Sequence, residues 1–580
     1  MKKLLLLTLG VLMTGLINSQ VILNGISPAS IAGTYEITYN NATSSGSWNG
    51  IDIELPANSI QDTLVKFLPA DACASSTNAA DVDGHIAVVY RGGCEFGLKV
   101  ANAEAAGAIA VIVINNAPGE LINMGAGDNG GTTTIPSVMV SDIDGAELVA
   151  AMDDGPVVVF IGDKNGKYEN DVGMKISSIL RPKYSAIPSA IANNSTEFKF
   201  DVGAKVFTFG SEDQTGIKLQ AIVKYEGDVI YDHTSDPVDI LPGDSAIINL
   251  PEFAPGTLDE GSYTMRYILT SDETDEYPSD NEFESDFVIS DYTLTYASYV
   301  DSLNRTNSTG GSRPIDQQGN PIAHFSSCIH FKDENASRLA PKSISFAASK
   351  SVDAADTSFF GESVLISVYE YNDNFARYTD AGFKNPIENY NELMLGEFEY
   401  TTEYNGDFIT AEFAENEIVG LYDNQRYMFC VTTFNEGIFF GTDNKRDYTI
   451  NREHYGQPVF ITEAGTGKYN PNGFGAGTVP TLMVTFMDAA QVNLKNEKLA
   501  LNMNAYPSPA SDLLNVDFKQ NEVNKVELVN MMGQTVVAQN VSHNAETTTL
   551  DVAGVENGVY IVKVYLTNNM THTMQVVINH

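Results

Sequence analysis

The residues best able to do chemistry are His324, Cys328 and His330, which follow one another at even spacing. Even spacing puts side chains on one face of a β-strand, so all three would point the same way. Imidazole and thiolate groups are ligands that zinc prefers, and Glu453-His454 would complete such a site if the chain folded back. We favour the competing interpretation, a disulfide-bonded Cys328 between ordinary strand histidines.

Other catalytic patterns are missing from the sequence. None of the eight His residues forms the pair, one helical turn apart with a Glu between, that binds one zinc ion. No Gly-x-Ser-x-Gly elbow occurs, and no phosphate-cradling glycine loop follows a strand and opens a helix with a Lys. Acid pairs such as Glu397 and Glu399 arise by chance in a chain this acidic. The sequence therefore predicts no catalytic residues, and a hydrolase (peptidase) site in 291–492 stays the alternative.

The charge balance excludes one class of partner. The chain has 33 Lys and Arg against 75 Asp and Glu, a formal net charge of −42. A negative field of this size repels phosphate backbones, so we predict no nucleic-acid partner. Residues 272–286 are strongly acidic, and we predict that they form a solvated hairpin loop. Calcium held by Asp275 and Asp280 is the alternative, and no other cofactor or metal is predicted.

The N-terminus predicts export. Lys2 and Lys3 precede a short apolar run, 4–17, and a polar cleavage zone, which is typical of a signal peptide over residues 1–20. No later segment is apolar and long enough to form a transmembrane helix. We therefore expect passage to the periplasm and on to the cell surface or the medium, in an oxidising environment.

The four cysteines fit that environment. Cys73, Cys94, Cys328 and Cys430 allow three pairings. Locality favours Cys73–Cys94 and Cys328–Cys430, because each pair then lies within one predicted domain. Both pairs together would leave no thiol for nucleophilic chemistry.

Hydrophobic patterning predicts a mainly β, multidomain protein. Residues 21–165 mix short buried strands with two helices, 96–107 and 142–153, which predicts a small mixed sheet. After that the pattern alternates, as at Ile217, Leu219 and Ala221, which is typical of half-buried strands. The predicted divisions are a signal peptide at 1–20, the mixed α/β domain at 21–165, an Ig-like β-sandwich at 166–290, a larger, jelly-roll-like sandwich at 291–492, a linker at 493–503 and a C-terminal β-sandwich at 504–580.

One stretch of the mixed domain resembles a known family. It resembles the protease-associated (PA) domain in the order and spacing of four segments, which are GHIAVVYRGGCEF at 84–96, AAGA at 105–108, the asparagine pair at 115–116 and IPSV at 135–138. The motif residues are Arg91, Gly92, Gly93, Cys94, Phe96, Asn115 and Asn116. The resemblance implies a non-catalytic domain that binds ligands, substrates or partner surfaces. Many members pair an upstream Cys with the Cys of the turn, in agreement with Cys73–Cys94.

The C-terminal segment resembles a second family. It resembles the type A sorting domain of type IX secretion in three segments, which are YPSPASDLLNV at 506–516, VELVNMMGQTV at 526–536 and GVYIVKV at 558–564. The residues that carry the motif are Tyr506, Pro507, Pro509, Gly533, Gly558 and Tyr560. The resemblance implies recognition by the type IX secretion machinery, passage through the outer membrane and removal of the domain.

Together these observations predict an exported binding or adhesion protein for protein or polysaccharide ligands. Two alternatives remain open. One is a secreted hydrolase with its site in 291–492, and the other is an accessory protein that presents substrates to a separate secreted peptidase. The sequence does not identify the ligand.

Overall fold

The computed structural model describes residues 20–40, 48–116, 121–308, 310–315, 321–350, 357–373, 375–380, 383, 390–404, 408–415, 417–465, 468–470, 473–492, 503–518, 523–531, 533–542, 545–566 and 571–580. The predicted signal peptide, apart from its last residue, and the predicted linker, again apart from its last residue, lie outside these ranges. The mainly β fold class predicted from the sequence is confirmed.

The first region is one mixed sheet with helices on both faces. Its strands run in the order β2-β1-β8-β4-β5-β6-β7-β3, and β4 to β7 are parallel. The strands are β1 Val21–Ser27, β2 Gly33–Tyr35, β3 Thr38–Tyr39, β4 Ile60–Lys66, β5 Ile86–Tyr90, β6 Ala110–Ile114, β7 Ser137–Val140 and β8 Val158–Asp163. The helices are α1 Ala79–Val82, α2 Phe96–Ala105 and α3 Asp142–Asp154. The two longer helices begin where the sequence predicted.

The parallel strands are apolar on both sides because each side carries a core. Val111 and Val113 of β6 face the core under α2, whereas Ile112 faces the core under α3. This is the pattern expected of a parallel sheet that is covered on both faces. At the start of α3, the Ser141 hydroxyl accepts a hydrogen bond from the Asp144 amide at 2.9 Å, which caps the helix.

The second and third regions are mainly antiparallel β structures that share a sheet and a core. The second region contains β9 Val172–Gly173, β10 Ala186–Pro188, β11 Phe200–Thr208, β12 Gln214–Tyr225, β13 Asp228–Thr234, β14 Val238–Ile240, β15 Ser245–Phe253, β16 Gly261–Thr270, β17 Glu282–Glu284 and β18 Phe287–Ser290. Strand β18 pairs with β10, and so does the next strand along the chain, Thr293–Thr295, so the sheet continues past position 290. One buried cluster extends from Val172 to Ala489.

The third region adds a six-stranded sheet, β26-β25-β28-β23-β30-β31, to the shared one. Its elements are β19 Thr293–Thr295, β20 Tyr299–Val300, β21 Arg305–Thr306, β22 Gly310–Ser312, β23 Phe325–Phe331, β24 Leu339–Lys350, β25 Ser363–Tyr371, β26 Tyr390–Glu399, β27 Phe408–Glu412, β28 Arg426–Thr433, β29 Ile438–Asp443, α4 Thr449–Tyr455, β30 Phe460–Ala464, β31 Lys468–Asn470, β32 Val479–Pro480 and β33 Met483–Asp488. Phe325 and Ile329 of β23 face the shared core, and Cys328 faces outwards into a smaller cluster.

The C-terminal region is a two-sheet sandwich with its own core. Its sheets are β34-β35-β38 and β37-β36-β39-β40. The strands are β34 Asn504–Tyr506, β35 Leu513–Asp517, β36 Val523–Asn530, β37 Thr535–Asn540, β38 Thr547–Asp551, β39 Gly558–Leu566 and β40 Thr571–Ile578. Val529 and Ile561 also form an apolar contact with Leu365 and Leu395 of the third region.

Single-turn 3₁₀ segments connect several of these strands. They are Ala29–Ile31, Pro56–Asn58, Gly130–Thr132, Ile176–Ser178, Ser189–Ile191, Pro278–Asp280, Asp301–Leu303, Ala336–Arg338 and Ala489–Gln491. Among the helices of the described ranges, none has the length and apolar character that crossing a membrane requires.

Candidate functional site

The PA-like motif lies at the carboxyl edge of the parallel strands. Strand β5 ends at Tyr90 and β6 at Ile114, so Arg91 and Asn115 emerge side by side. The Arg91 amide donates to the Ile114 carbonyl at 2.9 Å, and the Arg91 guanidinium donates to Asn115 Oδ1 at 2.9 Å. Ligands of open α/β sheets bind at this edge, which makes it the candidate site of the first region.

A disulfide and a buried lysine fix the loops at this edge. Cys73 is bonded to Cys94, as predicted. The Lys99 ammonium, on α2, donates to the carbonyls of Asp71 and Gly92 at 2.5 Å each. Lys99 is completely buried, and burial lowers the pKa of its ammonium. One cation therefore connects the loop after β4 to the loop after β5.

We expect Lys99→Met to destabilise the protein by about 2–3 kcal/mol, because two carbonyls lose charge-assisted hydrogen bonds from a buried ammonium. Urea unfolding of the protein without its signal peptide measures the change. The control is Lys66→Met, since the Lys66 ion pair with Asp153 is solvent-exposed. That change should cost at most about 0.5 kcal/mol. Equal losses in the two variants would contradict the assigned role of Lys99.

Glu95 holds a second loop against the same helix. Its carboxylate accepts hydrogen bonds from the amides of Asp128 at 2.9 Å and Asn129 at 3.2 Å, and from the Asn129 side chain. The hydrogen bond from the Asn129 side chain, followed by that from the Asp128 amide, lowers the pKa of Glu95. A Cβ atom at Gly97 would lie 1.9 Å from the Ala126 carbonyl oxygen, so only glycine permits this approach.

The surface above this frame combines apolar and polar groups. Leu68 is 48% exposed and Tyr90 is 38% exposed, and the Tyr90 amide binds the loop after β4 through the Ala70 carbonyl at 2.8 Å. Gly93 and Asn116 are also exposed beside the disulfide. We call Leu68, Tyr90, Gly93 and Asn116 the disulfide face. It is an exposed surface carried by a rigid support.

The histidine and cysteine cluster of the third region is used for packing. Cys328 lies opposite Cys430 in the ladder of β23 and β28 and is bonded to it, as predicted. The His324 ring lies 5.2 Å from the Phe434 ring. His454 has a different partner, since its Nε2 lies 2.8 Å from Asp201 Oδ2, and no metal-binding group of three His, Cys, Asp or Glu side chains occurs among the described residues.

His330 is buried against aromatic rings. It lies 5.6 Å from the Tyr371 ring and 5.9 Å from the Phe383 ring, between ring centres. Neither ring nitrogen has a hydrogen-bond partner among the described residues. Burial, with the nearby charges of Arg426 and Lys183, holds the pKa of His330 well below its usual value. The described environment therefore stabilises a neutral imidazole.

We expect His330→Phe to make the protein less sensitive to mild acid. The unfolded histidine takes up a proton near pH 6.5 and the folded one does not. The contribution of His330 to stability is therefore present above that pH and is lost as pH falls, by about 1.4 kcal/mol per pH unit. Urea unfolding between pH 7 and 5 should show this slope reduced in His330→Phe. The exposed control, His233→Phe, should keep it, and an unchanged slope in both would refute the prediction.

The two calcium candidates contact protein groups. Asp275 accepts hydrogen bonds from the amides of Val172 at 2.9 Å and Tyr277 at 2.6 Å. Asp280 Oδ2 lies 2.7 Å from the Lys164 ammonium. Within the described part of the chain, no three His, Cys, Asp or Glu side chains are grouped as metal ligands. Calcium binding stays a prediction.

The residues of the sorting motif occupy structural positions in the C-terminal sandwich. Gly533, at φ +74°, closes the turn between β36 and β37, and its amide donates to the Asn530 carbonyl at 2.9 Å. Gly558 begins β39, and the Tyr560 hydroxyl donates to the Glu556 carbonyl at 2.9 Å. Tyr506, at the end of β34, is 49% exposed, and Pro507 and Pro509 follow it.

Sequence reasoning missed the buried charges that organise the first two regions. Lys164 lies 2.7 Å from both Asp171 and Asp280 and is completely buried. Its separation of 116 positions from Asp280 left no signal in the pattern. The loop that Glu95 holds begins 33 positions further along the chain at Asp128, so this contact also left no local signal in the sequence.

Comparisons with known proteins agree with the two resemblances. The PA domain family matches residues 60–148, and the secretion system C-terminal sorting domain family matches residues 504–579. Signal peptide peptidase-like 3 of Arabidopsis thaliana is 40% identical over 103 residues, which is 17% of this chain and 18% of that protein. Leucine aminopeptidase 2 of Trichophyton equinum is 32% identical over 130 residues, which is 21% of this chain and 25% of that protein.

Similar solved structures cover only parts of the chain. The zinc aminopeptidase BSAP of Bacillus subtilis is 23% identical over 25% of this chain and 33% of its own, with a TM-score of 0.18. A CARDB domain of Pyrococcus furiosus is 14% identical over 21% of this chain and 98% of its own, with a TM-score of 0.16. The chain spans only 18% to 25% of the length of the two curated relatives. The protein thus contains a PA domain at residues 60–148 and a secretion system C-terminal sorting domain at residues 504–579.

Proposed function

We propose that the protein is an exported binding or adhesion protein that holds protein or polysaccharide ligands through its PA domain and β-sandwiches. The sorting domain supports secretion or display at the cell surface and interaction with the secretion machinery. The proposal also specifies that export begins with a signal peptide at 1–20 and continues by the type IX route.

The observation that carries the proposal is the disulfide face. Leu68 and Tyr90 expose apolar surface at the carboxyl edge of a parallel sheet, where such folds bind their ligands. The Cys73–Cys94 bond and the Lys99 hydrogen bonds hold the supporting loops. A tyrosine on a rigid support binds a partner at little entropic cost, which is typical of the central residues of interfaces.

The test is binding of the labelled protein, without its signal peptide, to arrays of secreted proteins and polysaccharides. Leu68→Ala with Tyr90→Ala should weaken capture of a bound ligand at least tenfold, since truncating a central interface residue costs about 1.4 kcal/mol or more. The matched control, Leu241→Ala with Ile247→Ala, removes side chains that are 59% and 61% exposed in the second region. Equal losses, or cleavage of casein by protein freed of contaminating proteases, would overturn the proposal.

The second candidate is a role in proteolysis, favoured by the names of the relatives, two of which are peptidases. In this version the chain presents substrates to a separate secreted peptidase, or carries a hydrolase site in 291–492. Capture of a secreted peptidase by the full chain would support the accessory role, and stoichiometric zinc in the purified protein would support the hydrolase. Neither result is expected if the protein only binds.

A further inference from the structure

A cavity of about 340 Å³ lies between the second and third regions, away from the PA domain. One wall is the start of β11 and the other is α4 with the loop that follows it. Its volume is near the lower end of the range of about 300–1,000 Å³ that is usual for small-molecule sites. The lining residues used below are Phe200, Tyr448, Val459, Lys183, Arg452 and Asn451.

The charges around this cavity oppose those of the whole chain. Three cations and two carboxylates line it, although the chain has a net charge of −42. Both carboxylates already have partners within the protein. Glu252 lies 3.2 Å from the Lys199 ammonium, and Asp201 lies 2.8 Å from His454 Nε2. Lys183 and Arg452 remain, and neither forms an ion pair with a described carboxylate.

Both remaining cations have hydrogen-bonding capacity to spare. Lys183 donates to the Lys332 carbonyl at 2.9 Å, which uses one of its three N–H groups. Surrounding protein displaces water from this ammonium and lowers its pKa to about 8. The Arg452 guanidinium stacks 4.9 Å above the Tyr378 ring, and its Nε has no hydrogen-bond partner among the described residues. An anion beside these two groups would satisfy both.

A third polar group in the wall accepts hydrogen bonds. Asn451 is only 4% exposed, and its Nδ2 donates to the Arg181 carbonyl at 2.7 Å. This contact fixes the amide orientation, because a carbonyl can be bound only by the NH₂ group. Asn451 Oδ1 is then left without a partner among the described residues. A buried acceptor in this state favours a ligand that brings an N–H or O–H donor.

We propose that this cavity binds the terminal carboxylate of a peptide whose last residue is apolar. The carboxylate pairs with Lys183 and Arg452, as charge-assisted hydrogen bonds require. The amide N–H of the same residue is the donor that Asn451 lacks, and its side chain packs on Phe200, Tyr448 and Val459. This site is independent of the disulfide face, so either proposal can fail without the other.

The test is calorimetric binding of N-acetyl-leucine to the protein without its signal peptide. N-acetyl-leucine amide has the same shape without the charge, and galacturonate has a carboxylate on a polar body. We expect the acid to bind in the millimolar range or tighter, and the amide and galacturonate at least tenfold more weakly. No binding of the acid, or equal binding of the amide, would overturn the proposal. Equal binding of galacturonate would overturn the peptide assignment.

Two variants locate the binding. Lys183→Gln and Arg452→Gln should each weaken binding of the acid at least tenfold, while urea unfolding of each variant checks that it folds. Lys199→Gln is the matched control, since Lys199 lines the same cavity but is paired with Glu252. It should change the affinity less than threefold. A loss in Lys199→Gln equal to that in Lys183→Gln would contradict the proposed contacts.

Discussion

Lys164→Met is expected to destabilise the protein by about 3–5 kcal/mol, the usual cost of removing one partner of a buried ion pair. The Lys164 ammonium lies 2.7 Å from Asp171 and 2.7 Å from Asp280, and none of the three side chains is more than 5% exposed. The rings of Phe209 and Tyr277 lie 4.1 Å from the same ammonium. Without the cation, two carboxylates would face each other in an apolar setting. Urea unfolding at pH 7 measures the loss.

The control removes all the charges together. The triple variant Lys164→Met, Asp171→Asn, Asp280→Asn leaves no buried carboxylate without a counter-ion, and uncharged replacements of buried ion pairs are often tolerated. We expect it to recover at least half of the stability that Lys164→Met loses. If the triple variant is as unstable as the single one, the loss comes from packing and not from charge.

The same site gives the protein a pH dependence of known sign. One ammonium serves two carboxylates, and burial raises the pKa of Asp171 to about 7 and of Asp280 to about 6. The folded state therefore holds protons that the unfolded state has released above about pH 4. This contribution to stability is complete below pH 4 and is lost as pH rises towards 7. Between pH 5 and 8, the stability of the natural protein should therefore fall relative to that of the triple variant, which keeps the buried histidines but lacks this site.

Local sequence patterns predicted the first region and the C-terminal region well. In the first region, apolar runs and glycine turns placed β5, α2 and β6 near their observed bounds, because each is decided by neighbouring residues. The join between the second and third regions was not predictable in this way. Strand β10 pairs with β18 in parallel and with β19 in antiparallel fashion, a contact decided by residues about a hundred positions apart.

The candidate sites differ in the same way, because contacts between residues that are near in sequence were predictable and contacts between regions were not. Cys73 and Cys94 could be paired from the sequence because they lie only 21 positions apart within one predicted domain. The cavity between the second and third regions could not be found, since Lys183 and Arg452 belong to different regions and neither is part of a motif. The even spacing of Cys328 and His330 correctly gave one face of a strand, yet spacing alone does not reveal that this face is covered by Tyr371 and Phe383.

The bond between Cys328 and Cys430 joins neighbouring strands in the centre of the six-stranded sheet. Both side chains are buried, together with Met428 and Ile461. The bond closes a loop of 102 residues, against 21 for Cys73–Cys94. In the chain-entropy account a longer closed loop restricts the unfolded chain more.

Cys328→Ala with Cys430→Ala is therefore expected to destabilise the protein by about 4.7 kcal/mol, and Cys73→Ala with Cys94→Ala by about 3 kcal/mol. Urea unfolding of both double variants under oxidising conditions measures the difference. Thermal unfolding of the natural protein with and without a reductant, followed by far-UV circular dichroism, checks it without substitution. A larger loss at Cys73–Cys94 would show that loop length does not govern the effect, and that support of the PA domain edge by that bond outweighs the restriction of the unfolded chain.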